Sequence, residues 1–163
     1  MILLVPACAG TVGEGRMCAD HRSQAVVDLV NEARAAEGMA GLRVDVRLVS
    51  AAQSHATGLS AGDANGHSSG DGSDLGERLE EASYRAERFG ETLAEGQLSP
   101  AVVVSDWLQS PGHRDIILEA RFREIGVGIA ESGGPLHWVA LLALNRGELA
   151  GTRGGCHPDG GVS

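Results

Sequence analysis

The segments Trp107-Leu-Gln-Ser-Pro-Gly-His113 and Phe122-Arg-Glu-Ile-Gly-Val-Gly-Ile-Ala130 contain a helix end, a turn, a histidine and a strand. Proline lacks an amide hydrogen and glycine tolerates positive φ, so Pro111 and Gly112 predict that the helix carrying Trp107 stops and that the chain turns just before His113. Apolar residues alternate with glycine at positions 125–129, and this pattern predicts a strand. His113 is then expected at a sheet edge, as a ligand or general base. The alternative is a structural turn with His113 as an ordinary surface residue.

The size and charge of the chain limit the class of protein it can belong to. The chain has 163 residues, of which 42% are hydrophobic and only 3% aromatic, which predicts one domain with a core of Val, Leu, Ile and Ala. A formal net charge of -9 argues against a nucleic-acid partner and against an anionic membrane surface.

The N-terminal ten residues are apolar but fall short of the roughly 20 residues that a transmembrane helix needs. They resemble the end of a secretory signal, and Val5-Pro-Ala-Cys8 is similar to a lipoprotein cleavage box with Cys8 as the lipidated residue. We therefore expect residues 1–22 to be a truncated export signal or a flexible lead. The alternative is an ordinary N-terminus.

The chain has three cysteines. If Cys8 belongs to an export signal, Cys18 and Cys156 flank the compact region, and a disulfide between them would tie both ends to the fold. The alternative is two unpaired thiols. Residues 146–163 are rich in glycine and are expected to form a tail.

Helices are predicted where a capping residue precedes apolar residues at 3.6-residue spacing. The expected capping residues are Ser23, Asp45, Asp74 and Ser99. Gly38 should end the first helix, and Glu77 completes a capping box with Asp74.

Strands are predicted for residues 84–89, 125–130 and 136–144 from their apolar patterns. The Gly133-Gly134 pair suits a hairpin between the last two, which should be antiparallel. Residues 60–73 are Gly- and Ser-rich and are expected to form a long loop. His55 lies on the apolar face of the second helix and is interpreted as a packing residue outside any site.

Three polar residues remain as candidates for a site: His67, Glu91 and His113. Each is expected in a loop or at the end of an element. Two neutral imidazoles and a carboxylate are a suitable ligand set for a divalent cation, zinc above all, with a position left for water. The three are far apart in the sequence, so their spacing alone does not identify a site.

An ordered series of motifs between residues 25 and 144 resembles the bacterial branch of the CAP superfamily, also called SCP-like. That superfamily includes the cysteine-rich secretory proteins, antigen 5 and the plant pathogenesis-related class 1 proteins. The motifs are Leu29-Val-Asn-Glu-Ala-Arg34, Ala51-Ala-Gln-Ser-His55-Ala56, His67, Asp71-Gly-Ser73, Arg78, Gly90-Glu91, Trp107-Leu-Gln-Ser-Pro-Gly-His-Arg114 and Ile125-Gly-Val-Gly-Ile-Ala130.

The resemblance implies an α+β domain over residues 23–145, a three-layer α-β-α sandwich with a central antiparallel sheet. It also implies secretion or attachment to the cell envelope, and a cleft in which His67, His113 and Glu91 match the family's polar groups.

The chain departs from the family pattern at Thr92, at Ile116 and at Ser110, which stands where eukaryotic members place a second cleft glutamate.

Three functions follow as hypotheses. The first is an extracellular, monomeric binding module whose cleft holds a divalent cation, a small apolar ligand, a lipid or a cell-envelope component. The second is a peptidase-like hydrolase, with Glu91 as base at a metal-bound water or with Ser110 activated by His113. In the third, His67, Glu91 and His113 only stabilise the fold and the surface carries the binding.

Overall fold

A computed structural model describes residues 21–147. The predictions about Cys8, the Cys18–Cys156 disulfide and the tail beyond residue 147 lie outside the described residues. None of the helices between residues 21 and 147 has the length and apolar character that a transmembrane span requires.

Within the described residues, five helices surround a four-stranded sheet. The helices are α1 (His21–Ala36), α2 (Val46–Ala61), α3 (Leu75–Glu81), α4 (Pro100–Gln109) and α5 (Pro111–Ile117). The strands are β1 (Arg43–Val44), β2 (Ala86–Glu95), β3 (Glu124–Ala130) and β4 (His137–Asn145), in the order β1-β3-β4-β2. Both β2 and β3 pair antiparallel with β4, while the two-residue β1 pairs parallel with β3.

The side chains of β4 divide the core into two layers, which makes the fold the predicted three-layer α-β-α sandwich. Trp138, Ala140 and Leu142 pack with α1, α4 and α5, whereas the intervening residues Val139 and Leu141 pack with α2 and α3. This alternation follows from strand geometry, because successive side chains point to opposite faces.

The glycines of β3 bring α2 unusually close to the sheet. Ile125 and Val127 face the α1/α4/α5 layer. A Cβ atom on Gly126 or Gly128 would lie 2.1–2.4 Å from the backbone of α2, at Leu48, Val49, Ala52 or Gln53. In the Ile-Gly-Val-Gly-Ile segment, the apolar side chains therefore lie on one face of the strand. The glycines lie on the other face and leave room for the backbone of α2.

Most predicted caps are confirmed. The Asp45 carboxylate accepts a hydrogen bond from the backbone amide of Arg47 at 2.9 Å, and Asp74 and Glu77 form the capping box. Gly38 adopts φ 72° after α1, and Ser99 caps α4. Ser23 was expected as a cap, but it lies inside α1 with its side chain buried.

Two further predictions need correction. The strand expected over residues 84–89 is observed as β2, which begins later and continues to Glu95. The chain bends at Ser110, and Pro111 begins α5, so that His113 lies in the first turn of a helix. The reason is that the fixed φ of proline suits the first helical position, where no amide hydrogen is needed, while the preceding residue is driven into extended backbone.

Candidate functional site

A surface cleft of about 580 Å³ brings together the three predicted residues His67, Glu91 and His113. They come from the loop after α2, from β2 and from α5, so only tertiary packing brings them together. The apolar side of the cleft is formed by Leu75, Phe89 and Ile116. The cleft therefore combines two imidazoles with an apolar wall.

Glu91 lies in the middle of β2, not at its end as expected, and is only 4% exposed. Its position follows from the pairing of β2 with β4, in which Glu91 is opposite Leu141. A carboxylate in the centre of a sheet must be compensated by partners, since burying an unpaired charge is costly. Both oxygens of the Glu91 carboxylate have such partners.

A hydrogen-bonded chain connects Arg78, Glu91 and His67. The Arg78 Nη2 group donates to Glu91 Oε1 at 2.7 Å, and Nδ1 of His67 lies 2.6 Å from Glu91 Oε2. Arg78 Nη1 also donates to the carbonyl oxygen of His67 at 2.8 Å. One arginine thus neutralises the buried carboxylate and holds the loop that carries the histidine.

The role of Arg78 was missed from the sequence, although a signal was present. In α3, Leu75 and Leu79 are four residues apart, and Arg78 stands beside them on the same side of the helix. A charged residue on an apolar helix face implies a buried partner. The sequence could indicate that a partner exists but could not identify it as Glu91.

The hydrogen bond to Glu91 decides how His67 can act. A carboxylate only accepts hydrogen bonds, so the hydrogen is on Nδ1, and Nε2 of the neutral ring keeps its lone pair. The side chain of His67 is 62% exposed. This carboxylate–histidine arrangement is the one that commonly orients a metal-ligating imidazole.

Burial favours the neutral form of His113. It lowers the pKa of this imidazole below the usual 6.5, and a proton on the neighbouring His67 would lower it further. An imidazole that resists protonation has a lone pair available near neutral pH. Among residues 21–147, however, no three His, Cys, Asp or Glu side chains are arranged as a metal site.

Ser110 does not line this cleft. It lies at the junction of α4 and α5, and its hydroxyl makes no cap hydrogen bond. Among the described residues, no hydrogen bond joins its side chain to His113, and Glu91 is already bonded to Arg78 and His67.

Comparison with known proteins agrees with this architecture. Residues 27–142 match the cysteine-rich secretory protein family, CAP. This chain belongs to the CAP family. Its CAP domain is 32% identical over 108 residues to the uncharacterized protein YkwD of Bacillus subtilis, covering 66% of this chain and 42% of YkwD. The matched region thus spans less than half of that relative.

Two examples of solved structures with this fold come from bacteria. An extracellular SCP-domain protein of Bacillus anthracis has a TM-score of 0.68 and 24% identity, covering 75% of this chain and 40% of that protein. An outer surface protein of Borrelia burgdorferi has a TM-score of 0.69 and 21% identity, covering 76% of this chain and 92% of that protein.

His55 is buried at 2% exposure, as expected for a packing residue, and its Nε2 hydrogen-bonds to the carbonyl of Gly66 at 2.8 Å. Burial is the main cause that lowers its pKa below 6.5, although the charge of Glu91 partly opposes this. Because the folded state resists a proton that the unfolded state takes up, His55 favours folding above its ordinary pKa and loses that contribution as the pH falls.

We therefore expect the free energy of unfolding to decrease as the pH falls through the ordinary histidine pKa of about 6.5, with at most about 1.4 kcal/mol per pH unit from this one proton. Urea denaturation at several pH values measures the slope. His55→Gln keeps a donor for Gly66 but does not titrate, so its slope should be smaller. An unchanged slope would assign the pH dependence to other groups, such as His113.

Proposed function

We propose that this CAP domain is a binding module of a secreted or envelope-attached protein, and that its cleft holds a divalent cation, zinc above all, through His67 and His113. The observation that carries the proposal is the 2.6 Å contact between His67 Nδ1 and Glu91, which leaves Nε2 as the lone-pair nitrogen. Neutral imidazole nitrogens fit zinc.

Glu91 serves this site as the group that orients His67. It is not proposed as a ligand, because Oε1 is paired with Arg78 and Oε2 with His67. Two protein ligands leave the remaining coordination positions of zinc for water or for a bound molecule. The proposed cation site is therefore an open one.

The apolar wall beside the histidines supports a role in ligand binding. Phe89 is one of the few aromatic residues of the chain. It is 45% exposed, so much of this large apolar side chain faces solvent. Together with Leu75 and Ile116 it offers apolar surface next to the proposed cation. A small molecule or lipid with one polar and one apolar end would suit both parts of the cleft.

Zinc calorimetry on the full chain tests this proposal. Wild type should bind one zinc ion with micromolar or tighter affinity, and His67→Ala or His113→Ala should abolish the heat. Glu91→Gln should weaken binding by about 10–100-fold, because the carboxylate only positions a ligand. His137→Ala, a change outside the cleft, is the matched control and should bind normally.

If wild type shows no zinc heat, or if His113→Ala binds as well as wild type, the cleft holds no shared cation. If His67→Ala and Glu91→Gln destabilise the fold while zinc and chelators change nothing, the histidines belong to a purely structural hydrogen-bonded cluster.

A further inference from the structure

A tight turn in the loop after α2 carries His67 into the cleft. The backbone amide of Asn65 donates to the carbonyl oxygen of Ser68 at 3.0 Å, and the amide of Ser68 donates to the carbonyl oxygen of Asn65 at 3.1 Å. Gly66 and His67 are therefore the two central residues of the turn, and Gly66 adopts φ 57°. The shape of this turn depends on the length of backbone between residues 65 and 68.

Asn65 and Gly66 are both exposed, and their sequence is chemically labile. The side-chain carbonyl carbon of an asparagine can be attacked by the backbone nitrogen of the next residue, and glycine allows this most readily because it has no Cβ to obstruct the approach. The hydrogen bonds of the turn use the main chain of Asn65 and the carbonyl of Gly66. Among residues 21–147, none engages the Asn65 side-chain amide or the Gly66 N–H.

The other two asparagines of the chain are protected. The Asn31 side chain donates to the Leu42 carbonyl at 3.1 Å and accepts from the Leu42 amide at 2.7 Å. The Asn145 side chain accepts from the amide of Gly147 at 2.9 Å. Each is also followed by a residue with a long side chain, which hinders attack by the backbone nitrogen. Asn65 alone combines a following glycine with an unengaged side chain.

We infer that Asn65 is a site of spontaneous deamidation. The Gly66 nitrogen forms a bond to Cγ of Asn65, the bond from Cγ to Nδ2 breaks, and Nδ2 leaves as ammonia with the proton from Gly66. Water then opens the resulting cyclic imide. Cleavage between the Gly66 nitrogen and Cγ gives aspartate. Cleavage between that nitrogen and the main-chain carbonyl carbon gives isoaspartate, whose backbone is one carbon longer.

Isoaspartate at this position changes the turn that holds His67. The extra backbone carbon lies between the two residues that exchange hydrogen bonds, Asn65 and Ser68, so both bonds cannot keep their geometry. His67 lies inside this turn, where its Nδ1 contacts Glu91 and its carbonyl oxygen accepts from Arg78. The longer backbone therefore displaces the His67 ring from Glu91. This effect does not depend on the cation proposed for the cleft.

The test is to incubate the full chain in mildly alkaline buffer at physiological temperature and to follow it by tryptic mass spectrometry. Cleavage after arginine places the three asparagines in separate peptides, 23–34, 48–78 and 124–146. The mass increase that accompanies replacement of an amide NH₂ by a hydroxyl should appear first in peptide 48–78. Fragmentation should locate it at residue 65 and should detect isoaspartate there.

Asn65→Gln should lose this mass increase, because the longer side chain forms its cyclic imide much more slowly. Asn145→Gln is the matched control and should react like wild type. In the imidazole NMR spectrum of the incubated wild type, the His67 signals should shift as isoaspartate accumulates, whereas those of His137, which lies outside the cleft, should not.

Three results would overturn the inference. The first is a mass increase in peptide 23–34 or 124–146 that is as fast as the one in peptide 48–78. The second is an increase in peptide 48–78 that persists in Asn65→Gln. The third is a protein that contains isoaspartate at residue 65 and keeps the original His67 signals, which would mean that the turn does not position the histidine.

Discussion

Replacing Arg78 with methionine should lower the free energy of unfolding by about 3–5 kcal/mol, the usual result of removing one partner from a buried ion pair. The side chains of Arg78 and Glu91 are only 5% and 2% exposed, so water cannot replace the lost partner. The variant would leave the Glu91 carboxylate with His67 alone and would free the loop carbonyl that Arg78 holds. Urea denaturation of wild type and variant measures the difference.

An exposed ion pair supplies the control. Arg121 pairs with Glu119 at 3.0 Å, but the Arg121 side chain is 59% exposed. Arg121→Ala should therefore change stability by no more than about 1 kcal/mol. A second variant, Arg78→Met with Glu91→Leu, removes both charges and should be more stable than Arg78→Met alone. If Arg78→Met costs as little as Arg121→Ala, the buried pair does not stabilise the fold.

Gly128→Ala should destabilise the protein by about 3 kcal/mol or more, at or beyond the upper end of overpacking effects. The added Cβ would lie 2.3 Å from the carbonyl carbon of Ala52 and 2.4 Å from its oxygen. Those atoms belong to the backbone of α2, which cannot turn aside as a flexible side chain would. The helix would have to move away from β3, opening the layer that contains Leu48 and Val139.

Chemical denaturation measures this effect too, and Gly134→Ala is its control. Gly134 lies in the β3–β4 hairpin loop, where an added Cβ would have no neighbouring atom within 4 Å. We expect a change there of no more than about 0.5 kcal/mol. A Gly128→Ala protein with wild-type stability would mean that α2 is free to shift, and that the close contact between α2 and β3 does not constrain the fold.

Arg78 and the glycines of β3 both help to keep the two sides of the cleft in place. The cleft depends on β2 and the loop after α2 being held at a constant distance, because Glu91 is on one and His67 on the other. Arg78 joins the two directly, and the glycines of β3 determine how closely α2 lies on the sheet. Loss of either should weaken zinc binding in the proposed site together with stability.

Local features were determined by the sequence itself. The cap at Asp45, the Asp74–Glu77 capping box and the end of α1 at Gly38 involve partners within a few residues, so the local pattern contains all the information they require. The β3–β4 hairpin was predicted in the same way, from the apolar patterns of its two strands and from the Gly133-Gly134 pair between them. The family motifs added the order of layers.

Only the tertiary structure decided where the functional groups lie. Pro111 was compatible both with a turn and with a new helix, and the observed start of α5 there is what places His113 in the cleft. Glu91 is 13 residues from Arg78 and 24 residues from His67, and which charge meets which depends on strand register and helix packing. Such pairings are set by the simultaneous burial of distant segments, and no local pattern of residues contains that information.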